Sequence, residues 1–599
     1  MSNLGCQLLL VIEAMKMEHE LCADRTGQVT SIHVVAGDRV QVGDRLIDWL
    51  PHASNNSVAV DPAATSDSAI AVEPVAPERK ELLELQTRLS YILDARRPEA
   101  IAKRHALGLR SARENIEDLC DPGSFTEHGA LAFAAQTQRR SLEDLVLNTP
   151  ANGIVTGLAS VNGHSFPAEV SRCAVLAYDA TVLAGTQGMR SHQKTDRLLH
   201  IAAQQRLSVI LFAEGGGGRP GDTDIPVVAG LHVGTFATFA RLNGLVPLIG
   251  IVAGRCFAGN AALLGCCDVV IATRDANIGM GGPAVMEGGG IGSFKPENIG
   301  PSDVQNRSGV IDVLVDNEAE AVACAKKYLA FFQGRIGESS AVEQRAADQL
   351  LLRSALPENR TRSYNMRRIM GLPTDTDSLL ELRAGFGVGI FTALARIDGR
   401  PIGLITSNPQ HLGGAIDADA ADKAARFMQL CNAHGLPLVS LVDTPGFMVG
   451  PDIEAQAQVR HVSRMFIAAA HLRVPFFAVV LRKAYGLGAM AMTGGGFHVP
   501  VSTVAWPSGE FGAMGLEGAV RLGYRKELAA AAEGDERDAL YQRLLNQQYA
   551  AGKAINMAST LEIDAVIDPA ETRAWLLRGL LSTLPQSAQA PRSFMIDAW

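Results

Sequence analysis

Long apolar runs are missing from this chain. No stretch approaches the ~18 consecutive apolar residues that a membrane span needs. The short apolar segment Leu8–Ile12 has no basic residue before it and no small-residue cleavage site after it, so a secretory leader is not expected either. Cysteine is sparse. Nine cysteines are scattered over 599 residues, Cys266 and Cys267 are adjacent, and no CxxC pair occurs. That excludes a zinc ribbon and argues against a disulfide framework. Basic excess is also missing: 54 Lys and Arg stand against 63 Asp and Glu, with no basic run. A net charge of −9 leaves no footprint for nucleic acid. No P-loop or ATP-grasp-like glycine loop is visible in the N-terminal segment. Together these absences point to the cytoplasm, with neither membrane nor nucleic acid as a partner.

What is present is an apolar fraction of 47% and a charged fraction of 20%, as in ordinary soluble globular proteins. The length is too great for one core and predicts three or four domains. Glycine is abundant at 59 residues, clustered from Gly153 onward. Such clusters mark turns and places where backbone must approach a ligand closely.

The sharpest motif is Glu13-Ala14-Met15-Lys16-Met17. Taken alone it is a strand with core methionines and an exposed lysine. Downstream, Gly27-Gln28-Val29, Val34, Gly37-Asp38, Val40 and Gly43-Asp44 punctuate short alternating strands, as in a small flattened barrel. A lysine at the tip of a tight hairpin leaves its amine open to a modifying enzyme. These residues resemble the biotinyl domain of biotin-dependent carboxylases, whose EAMKM lysine carries biotin in amide linkage. A lipoyl domain is the neighbouring reading, without the flanking methionines. The resemblance implies covalent biotin on Lys16, attached by a biotin protein ligase.

Biotinyl domains are two similar halves. Here Gly5–Leu9 matches Gly43–Ile47, the last strand of each half, but only four residues precede Gly5 where the second half has Ala23–Val42. The expectation is a partial domain, residues 1–50, with sheet edges and a core face uncovered. It is also that Met1 is an internal or misassigned start. Residues 51–80, rich in Ala, Pro, Ser and Val and without periodicity, read as a flexible linker. Its root-mean-square span is roughly 30 Å and its stretched limit about 100 Å. Such reach suits a swinging biotin and equally an ordinary interdomain tether.

Two related halves follow, expected at 81–350 and 351–599. Leu211-Phe212-Ala213-Glu214-Gly215-Gly216-Gly217 has its counterpart in Leu441-Val442-Asp443-Thr444-Pro445-Gly446-Phe447. Ala253–Gly259 matches Arg482–Gly488, with the interval Gly217–Gly259 equal to Gly446–Gly488. Ala272–Gly279 and Ala505–Gly512 share one spacing too. Agreement across three anchored blocks argues for duplication. Strands such as Val209–Phe212, Pro247–Val252 and Phe476–Leu481 alternate with helical stretches such as Ala421–Ala433 and Gln456–Ala470, which means an α/β layered fold.

Gly254…Gly259-Asn260-Ala261…Cys267-Asp268-Val269-Val270 resembles the crotonase superfamily. The wider resemblance, over essentially all of 81–599, is to the β-type carboxyltransferases of acyl-CoA carboxylases. Ser111–Ile116, Asp121–Phe125, Asp443–Phe447, Arg482–Gly486 and Asp564–Pro569 carry it. It implies an α/β fold of two tandem crotonase-like (ββα spiral) carboxyltransferase domains after a small, partial all-β biotinyl (hammerhead) domain. It also implies transfer of carboxylate from carboxybiotin to the α-carbon of an acyl-CoA: acetyl-, propionyl- or longer.

Such a transfer passes through an enolate, whose oxygen is best held by preorganised N–H donors. In the resembling family one half's amides hold the thioester oxygen and the other's hold the biotin ureido oxygen, while biotin itself takes the α-proton. Carried over by position, Gly216, Gly217 and Gly259 face the thioester, and Gly446, Leu487 and Gly488 face biotin. The opposing reading is that these glycines only make turns. The family's Ser-Gly-Gly-Ala-Arg is here Gly215-Gly216-Gly217-Gly218-Arg219, and its Gly-Gly-Ala is Gly486-Leu487-Gly488, so the register is open by a residue. The pattern is closer to long-chain or broad-specificity carboxylases.

The resemblance further implies a biotin carboxylase as ATP-using partner and a homodimer or hexamer. His192, Lys194 and Arg190 suit either CoA phosphates or a solvated helix face. Asp443 suits a turn organiser, and Lys483 and Tyr485 sit beside the second glycine cluster. The alternatives are a non-catalytic or truncated assembly subunit, a biotin-dependent decarboxylase with membrane partners, and a biotin-free hydratase lacking visible paired glutamates.

Overall fold

The structure, a computed structural model, describes residues 7–14, 16–23, 27–51, 79–226, 228–337, 348–583 and 595–599. Most of the expected linker, and residues 338–347, lie outside these. The described chain divides into two units, Met1–Pro77 and Glu78–Trp599. Among the described residues no helix is long and apolar enough to cross a membrane.

In the first unit β1 (Leu8–Ala14) and β2 (Met17–Cys22) form an antiparallel hairpin, with Ala14 opposite Met17 and Lys16 in the turn; Met15 lies outside the described residues. β3 (Gly27–Ile32) pairs with β4 (Ile47–Pro51) as a separate antiparallel ribbon. Between β3 and β4 two Gly-Asp turns repeat. The Val35 N–H donates to Asp38 Oδ2 and the Gln41 N–H to Asp44 Oδ2, and Gly37 (φ 100°) and Gly43 (φ 105°) supply the positive φ each turn requires. No described residue from 7 to 50 is buried: Val35, Val42 and Met17 all stand exposed. The apolar face of this unit is open among the described residues.

The second unit holds two sheets of matching construction. The first runs β14-β12-β10-β8-β7-β6-β5, from β14 (Val313–Val315) through β12 (Val269–Thr273), β10 (Leu248–Val252), β8 (Ser208–Phe212), β7 (Arg172–Tyr178) and β6 (Ile154–Ser160) to β5 (Thr126–Glu127). Its pairs are parallel up to β7 and antiparallel beyond. A small parallel sheet, β9 (Gly215–Gly216), β11 (Arg255–Phe257) and β13 (Asn277–Gly279), branches from its strand ends. Helices α1 (Met189–Gln205), α2 (Gly259–Gly265) and α3 (Glu318–Gln333) follow β7, β11 and β14.

The second sheet runs β15 (Leu380–Leu382), β16 (Ile390–Ile397), β17 (Arg400–Ser407), β18 (Leu438–Thr444), β19 (Phe476–Tyr485), β20 (Ser502–Ala505) and β22 (Ala565–Val566). Here too two antiparallel pairs lead into a parallel array. The far end of β19 pairs with β21 (Glu510–Gly512), the equivalent of the small branching sheet. Strand β19 therefore runs four residues beyond the expected Leu481. Helices α4 (Ala418–Ala433) and α6 (Gly486–Met492) take the places of α1 and α2, and α5 (Gln458–Ala470) joins β18 to β19. Sheet one ends at Val315 and sheet two begins at Leu380, and the expected division at 350 falls between them.

Local chemistry explains α4. Asp417 caps it by accepting the Ala420 N–H at 2.9 Å, and alanine fills the turns that follow. Twelve of its sixteen residues are buried, the pattern of a helix enclosed on all sides. One continuous core joins Tyr328 and Leu329 of α3 to Met428 and Leu430 of α4, so the two halves share an interior. The tail crosses the same boundary. Ile596 is buried, its N–H reaches Asn243 Oδ1, and Arg383, Arg426 and Arg464 bind the carbonyls of Ala598, Asp597 and Trp599.

Candidate active site

Each half places a glycine turn and a short helix start side by side. In the second half, strand β18 leads into Asp443-Thr444-Pro445-Gly446-Phe447. Asp443 is fully buried and bound from three directions. Its Oδ1 accepts the Lys483 N–H at 3.0 Å, and its Oδ2 accepts the Tyr364 hydroxyl at 2.7 Å and pairs with Arg482 at 3.0 Å. It organises the turn, and its oxygens are engaged within the protein. Gly446 stands at φ 125°, where only glycine is unstrained. Its own N–H donates to Thr444 Oγ1 at 3.1 Å, so what it offers the site is clearance.

The helix α6 begins opposite. A Cβ on Gly488 would lie 2.6 Å from Gly446 Cα and 3.1 Å from the Phe447 nitrogen, so the two backbones touch. The Ile416 N–H donates to the Gly446 carbonyl at 3.0 Å and the Met448 N–H to the Ile416 carbonyl at 2.8 Å. Among the described residues no backbone carbonyl receives the intervening Phe447 N–H. Leu487 and Gly488 lie in the first turn of α6, where N–H groups have no intrahelical acceptor. Three amides without backbone acceptors thus meet in one spot, with the Leu487 side chain exposed beside them.

The first half repeats this construction residue for residue. The Gln187 N–H donates to the Gly217 carbonyl and the Arg219 N–H to the Gln187 carbonyl, both at 2.9 Å. Gln187 precedes Gly217 by the same interval as Ile416 precedes Gly446, and each forms an isolated parallel bridge. Gly216 is held in the ladder opposite Phe257, and Gly217 (φ 76°) turns the chain next to Ala258. The N–H left without a backbone acceptor is that of Gly218, which is exposed with open space around it. Gly259 opens α2, preceded by Ala258 in a strained φ of 50°. Of the residues singled out from sequence, Gly259, Leu487 and Gly488 stand at these openings. Gly216, Gly217 and Gly446 support them, and Gly218 and Phe447 were missed.

Glu214, the residue before the glycine run, turns away into a buried cluster. Arg104 binds both its oxygens, at 2.9 and 2.5 Å, and lies 3.9 Å from Glu318, whose carboxyl is raised by burial. Glu214 Oε1 packs against Gly254, in the space that a Cβ there would take. Lys194 meets neither expectation. Its amine is inside, donating to the carbonyls of Ala151 at 2.9 Å and Ile154 at 2.6 Å, and burial lowers its pKa to about 8. Arg190 caps the Phe133 carbonyl and stacks on its ring, and His192 meets Thr235 Oγ1. Lys483 reaches the Gly413 carbonyl at 2.8 Å and is lowered by burial, while the Tyr485 hydroxyl donates to Glu510 at 3.0 Å.

In the first unit Lys16 stands at the hairpin tip, exposed, with a left-handed φ of 65°. An exposed lysine in a hairpin turn fits amide attachment of a carried group. Among the described residues no cluster suits a metal.

Residues 103–593 match the carboxyl transferase domain family and residues 6–48 the biotin-requiring enzyme family. The methylmalonyl-CoA carboxyltransferase 12S subunit of Propionibacterium freudenreichii subsp. shermanii is 32% identical over 481 residues, 79% of this chain and 88% of that one. Among solved structures, a transcarboxylase 12S hexamer with methylmalonyl-CoA bound superposes with a TM-score of 0.74 at 28% identity, covering 88% of this chain and 100% of that one. A single-chain, multi-domain long-chain acyl-CoA carboxylase gives 0.79 at 52% identity, covering 96% of this chain and 53% of that one, so the chain spans about half its length.

Proposed function

The chain belongs to the carboxyl transferase domain family, fused to a segment of the biotin-requiring enzyme family, and from that premise we propose that it is the carboxyltransferase of a biotin-dependent acyl-CoA carboxylase. The observation that carries the reading is the duplicated opening of free backbone N–H groups, one per half. Gly218 and Gly259 hold the thioester oxygen of an acyl-CoA. Phe447, Leu487 and Gly488 hold the ureido oxygen of biotin.

Fixed N–H donors stabilise an oxygen as it gains charge without reorganising, which lowers the barrier to the enolate. Biotin on Lys16 supplies the carboxylate and the base for the α-proton. The protein's own part is to orient both oxygens, and Asp443 and the Arg104–Glu214 pair keep the two turns rigid from behind.

The acyl-CoA is long-chain. Support comes from the 52% identity to the long-chain acyl-CoA carboxylase and from the Gly215–Arg219 run. Partners follow from the chemistry. A biotin carboxylase subunit or domain loads biotin with ATP and bicarbonate, a biotin protein ligase modifies Lys16, and copies of the chain assemble as a dimer or hexamer. Exposed apolar side chains beside both openings, Phe236 and Leu487 among them, favour burial against a second copy. The cytoplasm is where these substrates meet.

The test supplies a biotin carboxylase subunit, ATP and bicarbonate and compares acyl-CoA chain lengths. Product from long-chain acyl-CoA is expected, together with a streptavidin signal that disappears in Lys16→Ala. A folded protein that carboxylates no acyl-CoA refutes the reading and favours an assembly role.

A further inference from the structure

The two openings are duplicates, yet one position differs in kind. Ile416 and Gln187 occupy the same place, each threading its backbone between a glycine carbonyl and the N–H two residues further on. Ile416 is an apolar core residue with no exposure. Gln187 is equally enclosed, at 4% exposure, but carries an amide into that interior. Burying an amide is costly unless it is used.

Its two ends show the use. Gln187 Nε2 donates to the Tyr178 hydroxyl at 2.9 Å. Tyr178 lies at the end of β7 and is fully enclosed, its phenol pushed up to about 12 by burial, so it stays a neutral anchor. At the other end Gln187 Oε1 stands where a Cβ on Gly259 would need to be, with the Phe236 ring edge 3.3 Å from the same point. In the second half nothing intervenes: Gly488 rests directly on the backbone of Gly446. Gln187 thus joins both sides of the first opening, the Gly217–Arg219 turn through its backbone and the start of α2 through its side chain.

We propose that Gln187 is a positioning residue for the first opening, fixing the separation between the Gly218 and Gly259 amides that hold the acyl-CoA oxygen. This rests on the acyl-CoA reading above. The second opening has no such spacer and closes glycine on glycine. The first carries a side chain pinned to β7 against the start of α2.

The test uses the full chain and follows carboxyl transfer from malonyl-CoA to free biotin. Donor spacing matters most as charge develops, so Gln187→Ala should lower kcat by about 10- to 100-fold and leave KM for malonyl-CoA within about two-fold. Gln187→Met keeps the length and packing but cannot hold the tyrosine, so it should melt like the wild type and still lose kcat. Tyr178→Phe, which removes only the anchor, should lose about three- to ten-fold. Wild-type kcat in Gln187→Ala or Gln187→Met overturns the proposal, as does a loss confined to KM. Should the wild-type chain itself transfer nothing, the functional reading fails, and the positioning role is judged separately by a crystal structure of Gln187→Ala. Displacement of Gly259 relative to Gly218 supports it, and superposition overturns it.

Discussion

Replacing Gly488 by alanine adds one methyl group at the tightest point of the second opening. Its φ is not left-handed, so the backbone itself accepts alanine. Space does not. The new Cβ would stand 2.6 Å from Gly446 Cα, 2.7 Å from the Gly446 carbonyl carbon and 3.1 Å from the Phe447 nitrogen. Carbon atoms prefer about 3.5–4.0 Å, so the α6 start and the Gly446 turn must part by roughly 1 Å. Neither is a flexible side-chain tip, and Gly446 is tied to both Thr444 and Ile416.

A displacement of about 1 Å costs around 100-fold in rate, and loss of one donor costs about 100- to 1,000-fold, roughly 3–4 kcal/mol. Overpacking costs about 1–3 kcal/mol of stability in addition. The assay is steady-state transfer from malonyl-CoA to free biotin beside a thermal melt. Gly488→Ala should lose kcat at least 100-fold with KM for malonyl-CoA little changed, since acyl-CoA is assigned to the other half. Gly218→Ala is the contrast. Its methyl meets open space and its N–H remains, so it should keep activity within a few-fold. Near-normal kcat in Gly488→Ala would refute the reasoning.

Lys423 is fully enclosed, its amine donating to the carbonyls of Arg383 and Phe386, and burial lowers its pKa to about 7. The unfolded lysine holds its proton to a higher pH, so folding releases it between about 7 and 10 and stability rises with pH across that window. Denaturant melts at pH 7 and pH 9 should show the wild type gaining about 2–3 kcal/mol relative to Lys423→Met, and parallel curves would contradict this. Arg104→Met leaves Glu214 and Glu318 buried without their shared cation and should cost about 3–5 kcal/mol in urea unfolding. An unchanged midpoint would show that water replaces the arginine at no cost.

Much of the fold was legible because duplication leaves equal intervals. Gly217 to Gly259 and Gly446 to Gly488 mark the same strand–helix connection, and both sheets repeat the same pairing order. The register within the glycine run was not legible. Four consecutive glycines carry no side-chain signal, so only the backbone bonding separates Gly218, with its free N–H, from Gly217 and Gly216. Gln187 escaped notice for a related reason. Its counterpart is isoleucine, and two residues sharing a backbone role but no chemistry leave no repeat to find. Lys194 misled because charge between polar neighbours on a helix reads as surface, whereas the carbonyls of Ala151 and Ile154 draw its amine inward. Asp443 was read as a turn organiser from the proline that follows it, and its three internal partners bear that out.

The measurement closest to the central claim is transfer of label from carboxyl-labelled malonyl-CoA or methylmalonyl-CoA to free biotin, without ATP and without any partner subunit. Two backbone openings that suffice for the chemistry predict label on biotin at a rate that saturates in acyl-CoA and falls in Gly488→Ala. A folded wild-type chain that leaves all label on the acyl-CoA, at every chain length tried, would contradict the account.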